Sequence, residues 1–351
     1  MKKSGPPFLI LNAALLLVLA AAPQAPGAEE QARTRPVVDM AGRTVALPAE
    51  IERIGTLGPV GVLNTFVEVM GEGSKIINRM PASFTNSGRW RLQAEFAPQT
   101  PTGPLFESAN RDLLIENIIM AKPDVCLVMT RELAEQLEKL GLACVYLEWK
   151  DIEDVRRAVG LMGRVLNRPD RAGQYLEYFD EKLALARSLT AGLSEADKPR
   201  VLYGNPAQFS QPHQIAEWWI AQAGGRSVTG RSLTGSGLQY NMEDLLRWDP
   251  EVMILINPKT AREMKESDSF RNITAVKNEA FHYIPTVAHT WGNRTVEQPL
   301  TVLWALHKLH PRLLSRERLA EEIRYFYKTF FLYDLSDDQI EAIMSGGSVH
   351  D

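Results

Sequence analysis

IEDVRRAVGLMGRVLNRPDRAGQYLEYFDEKLALARSLTA, residues 152–191, keeps helical spacing through its whole length with one interruption. Val155, Val159, Met162, Val165 and Leu166 make one apolar stripe, the pattern of an amphipathic helix. Asn167-Arg168-Pro169 breaks it, and Pro169 suits a first helical position, where a backbone N–H has no partner to lose. Tyr175, Tyr178, Phe179, Leu183 and Ala186 continue the stripe, as packing rather than ligand contacts. On both sides the chain alternates short strands with helices. A long helical segment between two such stretches predicts a rigid connector, residues 152–192, joining two lobes at residues 35–151 and 198–344.

Working outward, Val37–Asp39 and Thr44–Leu47 flank Ala41-Gly42, a hairpin signal. Arg53–Leu57, Ile76–Ile77, Asp124–Met129 and Ala143–Leu147 read as strands; Val60–Met70, Asn110–Ala121 and Arg131–Leu140 read as helices. The stretch Met80–Ser108, rich in Pro, Gly, Ser, Thr and Asn, is a long loop of the kind that carries function. Beyond the connector, Arg200–Tyr203, Val252–Ile256 and Phe281–Ile284 are strands, and Gln214–Ala223, Met242–Arg247, Thr301–Leu309, Ser315–Phe331 and Ser336–Met344 are helices. This order predicts an α/β protein with a mainly parallel sheet flanked by helices in each lobe. The halves share one unit, Glu116…Lys122-Pro123-Asp124-Val125 and Glu243…Asp249-Pro250-Glu251-Val252.

Composition narrows the chemistry. The 351 residues carry 39 Lys and Arg against 43 Asp and Glu, a net charge of −4, so no basic surplus exists to bind nucleic acid. Lys2 and Lys3 precede an apolar run from Phe8 to Ala22, followed by small residues up to Ala28. That run is short for a span, which needs about 20 residues, and has the layout of a cleavable signal peptide over residues 1–28. No cysteine follows it, which argues against a lipid anchor, and no later stretch approaches spanning length. The expectation is a soluble, exported, periplasmic protein. No GxxxxGK[ST], dinucleotide fingerprint, HExxH or GxSxG occurs, so nucleotide and hydrolase chemistries lose ground.

Several segments in order resemble the periplasmic substrate-binding proteins of iron-complex (siderophore or haem) and vitamin B12 ABC importers, the class with a helical linker. VVDMAGRTVALPAEIERIGTLGP at 37–59 is similar to that family's opening hairpin and first core strand. Lys122–Met129 with Leu140–Leu147 resembles its strand–helix–strand unit. WALHKLHPRL at 304–313 and YFYKTFFLYDLSDDQIEAI at 325–343 resemble its closing helices. The resemblance implies two lobes joined by a single long interlobe helix, with a ligand cleft between them. It implies a monomer without an intrinsic cofactor that is not an enzyme. Its cargo would be a small-molecule metal chelate, a ferric siderophore first, then haem or a corrinoid. It also implies docking on an ABC permease dimer through Glu116 and Glu243, one on each lobe.

Ligands of open α/β sheets bind outside the carboxyl ends of strands. That rule selects Thr56–Pro59, Thr130–Arg131, Glu148-Trp149, Tyr203–Asn205, Asn257-Pro258 and the loop carrying His289, Trp291 and Arg294. The long loop adds Arg79, Arg89, Trp90 and Arg91. Arginines suit the oxygens and negative charge of a chelate, and indoles suit its flat faces. His289 is the one histidine on a cleft loop, with Tyr203 and Tyr240 as candidate oxygen donors, so direct metal ligation stays open beside recognition of an intact chelate. Cys126 and Cys144 fall on neighbouring strands, where a disulfide and two buried thiols are both compatible with the sequence. Two rival functions are a chelatase-like metal–tetrapyrrole enzyme, which needs a His–Glu pair that the spacing does not supply, and a sensor or scaffold that holds ligand for a receptor.

Overall fold

The computed structural model describes Met1 and residues 34–85, 90–148, 150–230 and 237–346. The expected signal-peptide segment past Met1, with Arg89 and Trp149, lies outside the described residues. The chain enters as an antiparallel hairpin, β1 (Thr34–Val38) and β2 (Thr44–Pro48), with Val37 opposite Val45. Asp39 organises its turn. The Asp39 carboxylate accepts the amides of Ala41 at 2.9 Å and Arg43 at 3.0 Å, and the Arg43 guanidinium. It also accepts the amide of Tyr146 at 3.2 Å, which fastens the hairpin to the first sheet.

That sheet has the order β3 (Ile54–Thr56), β4 (Val125–Val128), β5 (Cys144–Tyr146), all parallel, with Ile76 bridged to Ile54 on the outer side. The second lobe repeats the plan. Its strands are β6 (Arg200–Gly204), β8 (Arg226–Ser227), β10 (Val252–Leu255) and β11 (Phe281–Tyr283), ordered β11-β10-β6-β8 and again parallel; β7 (Ser210–Gln211) and β9 (Leu238–Gln239) form a small separate pair. The repeat visible in the sequence has a physical basis. Arg53 at the root of β3 donates to the Ala121 carbonyl at 2.9 Å, while its amide donates to Asp124 at 2.8 Å. Arg200 at the root of β6 donates to the Asp249 carbonyl at 3.0 Å, while its amide donates to Glu251 at 2.8 Å. In each lobe an arginine thus satisfies the free carbonyls of a helix end, and an acid after the proline pins the next strand.

The helices that matter below are α1 (Val60–Glu68), α2 (Arg91–Phe96), α3 (Ile115–Ala121) and α4 (Arg131–Glu138) in the first lobe. Then come α5 (Ile152–Val165), α6 (Pro169–Thr190), α7 (Ile215–Gln222), α8 (Met242–Trp248), α9 (Pro258–Glu266), α10 (Gln298–Leu309), α11 (Arg316–Phe326) and α12 (Asp337–Ser345). Helix α3 starts five residues later than the periodicity suggests, because Ser108 accepts the amides of Asn110 and Asp112 and turns that stretch into a loop. The helix expected over Ser315–Phe331 is not uniform: α11 ends at Phe326, and Tyr327–Phe331 widens into a π-turn that Leu332 closes at φ 55°.

The forty-residue connector is not one rod. Asn167 takes φ 53° and reverses the chain, Arg35 donates to the Arg164 carbonyl at 2.8 Å, and Gly163 lets Ala172 approach the end of α5. So α5 and α6 pair as a helical hairpin, and only α6, about 33 Å long at 1.5 Å per residue, links the lobes. Its first turn grips the first lobe, with Arg171 donating to the Val69 carbonyl at 3.0 Å. Further along, Tyr175 donates to the Val296 carbonyl at 2.6 Å, Phe179 stacks on Trp218, and Lys182 pairs with Glu322 at 3.0 Å. The C-terminal elements also cross back, since Phe96 of α2 stacks on Tyr327 at 5.8 Å.

Candidate ligand-binding cleft

The loop between Arg79 and Pro101 contains a pocket of about 390 Å³ lined by Arg79, Phe84, Trp90 and Arg91 among others. Trp90 immediately precedes α2, so its ring is placed by the start of a helix rather than by a free loop. It packs edge-on to Phe84 at 5.2 Å, and on its other side meets the His289 ring of the second lobe at 4.6 Å. The indole is thus one point of contact between the lobes. Gln93, buried one turn later, donates to the carbonyls of Gly61 at 2.7 Å and Ala288 at 2.6 Å, and accepts from Asn64 at 3.0 Å. Asn64 in turn accepts from Thr56 at 2.9 Å. A buried polar chain thus runs from the end of β3 to the opposite lobe.

Arg294 makes a further crossing. It is buried, donates to the Lys150 carbonyl at 3.0 Å, and lies 3.4 Å from His213 Nδ1. Burial, with the neighbouring Arg294 charge, pushes the His213 imidazole down to about 4, so it is neutral. Arg91 is exposed on the pocket rim, and His289 is buried against Trp90.

Other expected site residues go elsewhere. Trp291 is fully enclosed in the core, its Nε1 donating to Glu297 at 3.0 Å, and so does not line the cleft. Tyr203 is a buried strand residue packed on Trp219 at 5.3 Å, because β6 is covered on both faces. Tyr240 is buried against Phe209 and Trp248, and burial raises its phenol. Asn205 is half-buried and exchanges backbone hydrogen bonds with Ser210 at 2.8 and 3.1 Å, closing a turn. Thr56 and the β3 end face inward, and Glu107 accepts the Gly58 amide at 2.8 Å, filling the start of α1. Among the described residues no group of three His, Cys, Asp or Glu side chains could hold a metal ion. Cys126 and Cys144 stand opposite each other on β4 and β5 as buried free thiols. Sequence reading missed Phe84 and Gln93; nothing in a polar loop distinguishes them until the fold brings them to Trp90.

Gly292 explains how Tyr203 fits: a Cβ there would fall on the Tyr203 hydroxyl and ring. Gly292→Ala is expected to cost about 1–3 kcal/mol through overpacking, read as a lower denaturation midpoint with an unchanged slope.

Glu116 and Glu243 are both exposed, each in the first turn of the equivalent helices α3 and α8. Large apolar side chains stand bare beside them, Met120 at 79% and Leu246 at 45% exposure.

Comparison with known proteins agrees with this architecture. The chain resembles a periplasmic solute-binding protein from Veillonella parvula, 25% identical with a TM-score of 0.76, over 88% of this chain and 96% of that one. It shares its fold with the molybdate-bound periplasmic binding protein of Haemophilus influenzae, 16% identical, TM-score 0.74, covering 86% and 99% of the two chains. It also shares it with the Helicobacter pylori CeuE protein in its Ni-His complex, 18% identical, TM-score 0.68, covering 88% and 98%. No curated protein sequence matches the chain. Among the described residues no helix is long and apolar enough to cross a membrane. The model of the periplasmic binding protein family matches residues 95–288, more than half of the sequence, and the chain belongs to that family.

Proposed function

We propose that this protein is the exported capture component of an ABC importer for an iron chelate, ferric siderophore ahead of haem or cobalamin. The observation that carries this reading is the first-lobe pocket lined by Arg79, Arg91 and the rings of Phe84 and Trp90, the Trp90 ring in turn meeting His289 of the second lobe at 4.6 Å. Guanidinium groups recognise carboxylate, catecholate or hydroxamate oxygens, and the aromatic faces cover the flat parts of the chelate. Closure brings Gln93 and Arg294 across the lobe boundary, so capture and lobe contact are one event. The chelate is recognised whole, without protein side chains on the metal.

Delivery follows from the other end of the molecule. Glu116 and Glu243, each beside an exposed apolar residue, would meet arginines on the two halves of a permease dimer, fixing orientation with contacts weak enough to release. In this reading the mature protein is a periplasmic monomer, freed of residues 1–28 and not lipid-anchored. The test is protein purified from its native host, analysed by native mass spectrometry and visible absorption. An iron chelate leaving with the protein, or a thermal shift with a ferric siderophore, haem or cobalamin, is expected. Metal-free protein with no shift from any of the three would overturn the reading.

A further inference from the structure

Two thiols face each other across the first sheet. Cys126 on β4 and Cys144 on β5 are direct partners in the parallel register, and the Cys126 amide donates to the Ala143 carbonyl at 2.8 Å. Side chains alternate between the faces of a strand. Cys126, Val128 and Cys144 pack with Phe106, Ile118 and Leu137 on one face, while Leu127 and Val145 join the larger core on the other. Both sulfurs therefore leave the sheet on the same side, from strands about 4.8 Å apart. A disulfide accepts Cα separations of about 4.4–6.8 Å. Gly55 completes the row on β3, where a Cβ would fall 2.9 Å from the Phe106 ring and 3.4 Å from Cys126 Sγ. Three residues long and at the edge of its sheet, β5 is free to draw in toward β4.

No other pairing competes, because the chain holds only these two cysteines. Both are free and fully buried, so the structure shows the reduced form. In that form the pair is inert. The Phe106 ring and α4, through Ala134 and Leu137, cover the sulfurs. The hydrogen bond with Cys126, and then burial, hold the Cys144 thiol far above its ordinary range. Reaction needs a thiolate within reach of an oxidant, so it has to come before the row is covered.

We infer that Cys126 and Cys144 form an intrachain disulfide that staples β4 to β5, made while the exported chain folds and then sealed under Phe106 and α4. One cysteine thiolate attacks a sulfur of an oxidant disulfide, either glutathione disulfide or a protein disulfide oxidase, and expels one oxidant thiolate. The second cysteine thiolate attacks the cysteine sulfur of that mixed disulfide and expels the other. The two cysteine protons end on the oxidant's thiols, and the oxidant gains the electron pair. Exported chains meet such oxidants, whereas the cytosol keeps thiols reduced. The staple joins the two strands whose carboxyl ends lead to Thr130–Arg131 and Glu148, so it stiffens the first-lobe side of the cleft.

The bond rests on the export part of the proposed function and on nothing about the cargo. Protein from the periplasmic extract of its native host, quenched in acid and alkylated with N-ethylmaleimide in denaturant, should take up no reagent before reduction and two equivalents after it. Its intact mass should be two hydrogens below that of the reduced chain. Periplasmic protein that alkylates fully without reductant would overturn the inference. A second arm needs no export. Reduced, unfolded protein refolded with glutathione disulfide should close the bond much faster than folded, reduced protein in the same buffer; equal rates would overturn the sealing order. Refolding with dithiothreitol instead should lower the thermal midpoint of wild type and leave the double variant Cys126→Ala/Cys144→Ala unmoved. Protein found only in the cytoplasm would overturn the export reading, and the refolding arm then decides the pairing: closure sustains it, and failure to close is fatal.

Discussion

Trp291→Ala is expected to destabilise the protein by about 3–5 kcal/mol, the range for deleting a buried large aromatic. The indole is fully enclosed, its Nε1 donates to Glu297 at 3.0 Å, and its carbonyl accepts from Gln298 at 2.9 Å and Thr301 at 2.9 Å. Its removal opens a cavity beside the buried carboxyl and loosens the start of α10. Chemical denaturation followed by circular dichroism should show the loss. A variant as stable as the parent would mean that the ring is not core, and the 286–297 loop would have to be redrawn with Trp291 on the cleft.

Trp90→Ala should do the reverse. Its ring is half-buried and contacts Phe84 and His289 rather than the main core, so folding should change by about 1 kcal/mol or less. Capture of a ferric chelate should weaken by about 2 kcal/mol, roughly thirtyfold in Kd, the scale of a central aromatic anchor. Trp90→Phe should recover much of that, because a ring face rather than the N–H is in use. Calorimetric titration with a ferric siderophore reads both. Equal affinities for wild type and Trp90→Ala would remove the pocket from the account.

These two tryptophans mark the limit of what residue order conveys. Both are expected on loops, Trp90 within residues 80–108 and Trp291 beyond the strand Phe281–Ile284. What separates them is tertiary: Trp90 starts α2 at a lobe edge, whereas Trp291 turns back under α10 toward Tyr327. The architecture was more legible. The Glu–Pro–acid unit recurs because each lobe needs the same clamp at the root of its first strand, and such local chemistry leaves a local pattern. The connector was legible as helix but not as a hairpin, since the reversal at Asn167 depends on Gly163 admitting Ala172. Glu297 gave no signal at all. It looks like an ordinary acid until the fold encloses it and Trp291 Nε1 donates to it.

Cargo held between the lobes, rather than on one of them, is the claim on which the rest stands. Hydrogen–deuterium exchange of the mature protein, with and without a ferric siderophore, tests it most directly. Protection is predicted to rise together in two distant segments, residues 90–97 of the first lobe and 288–294 of the second. Protection confined to one segment, or absent from both while the chelate is bound, would contradict it.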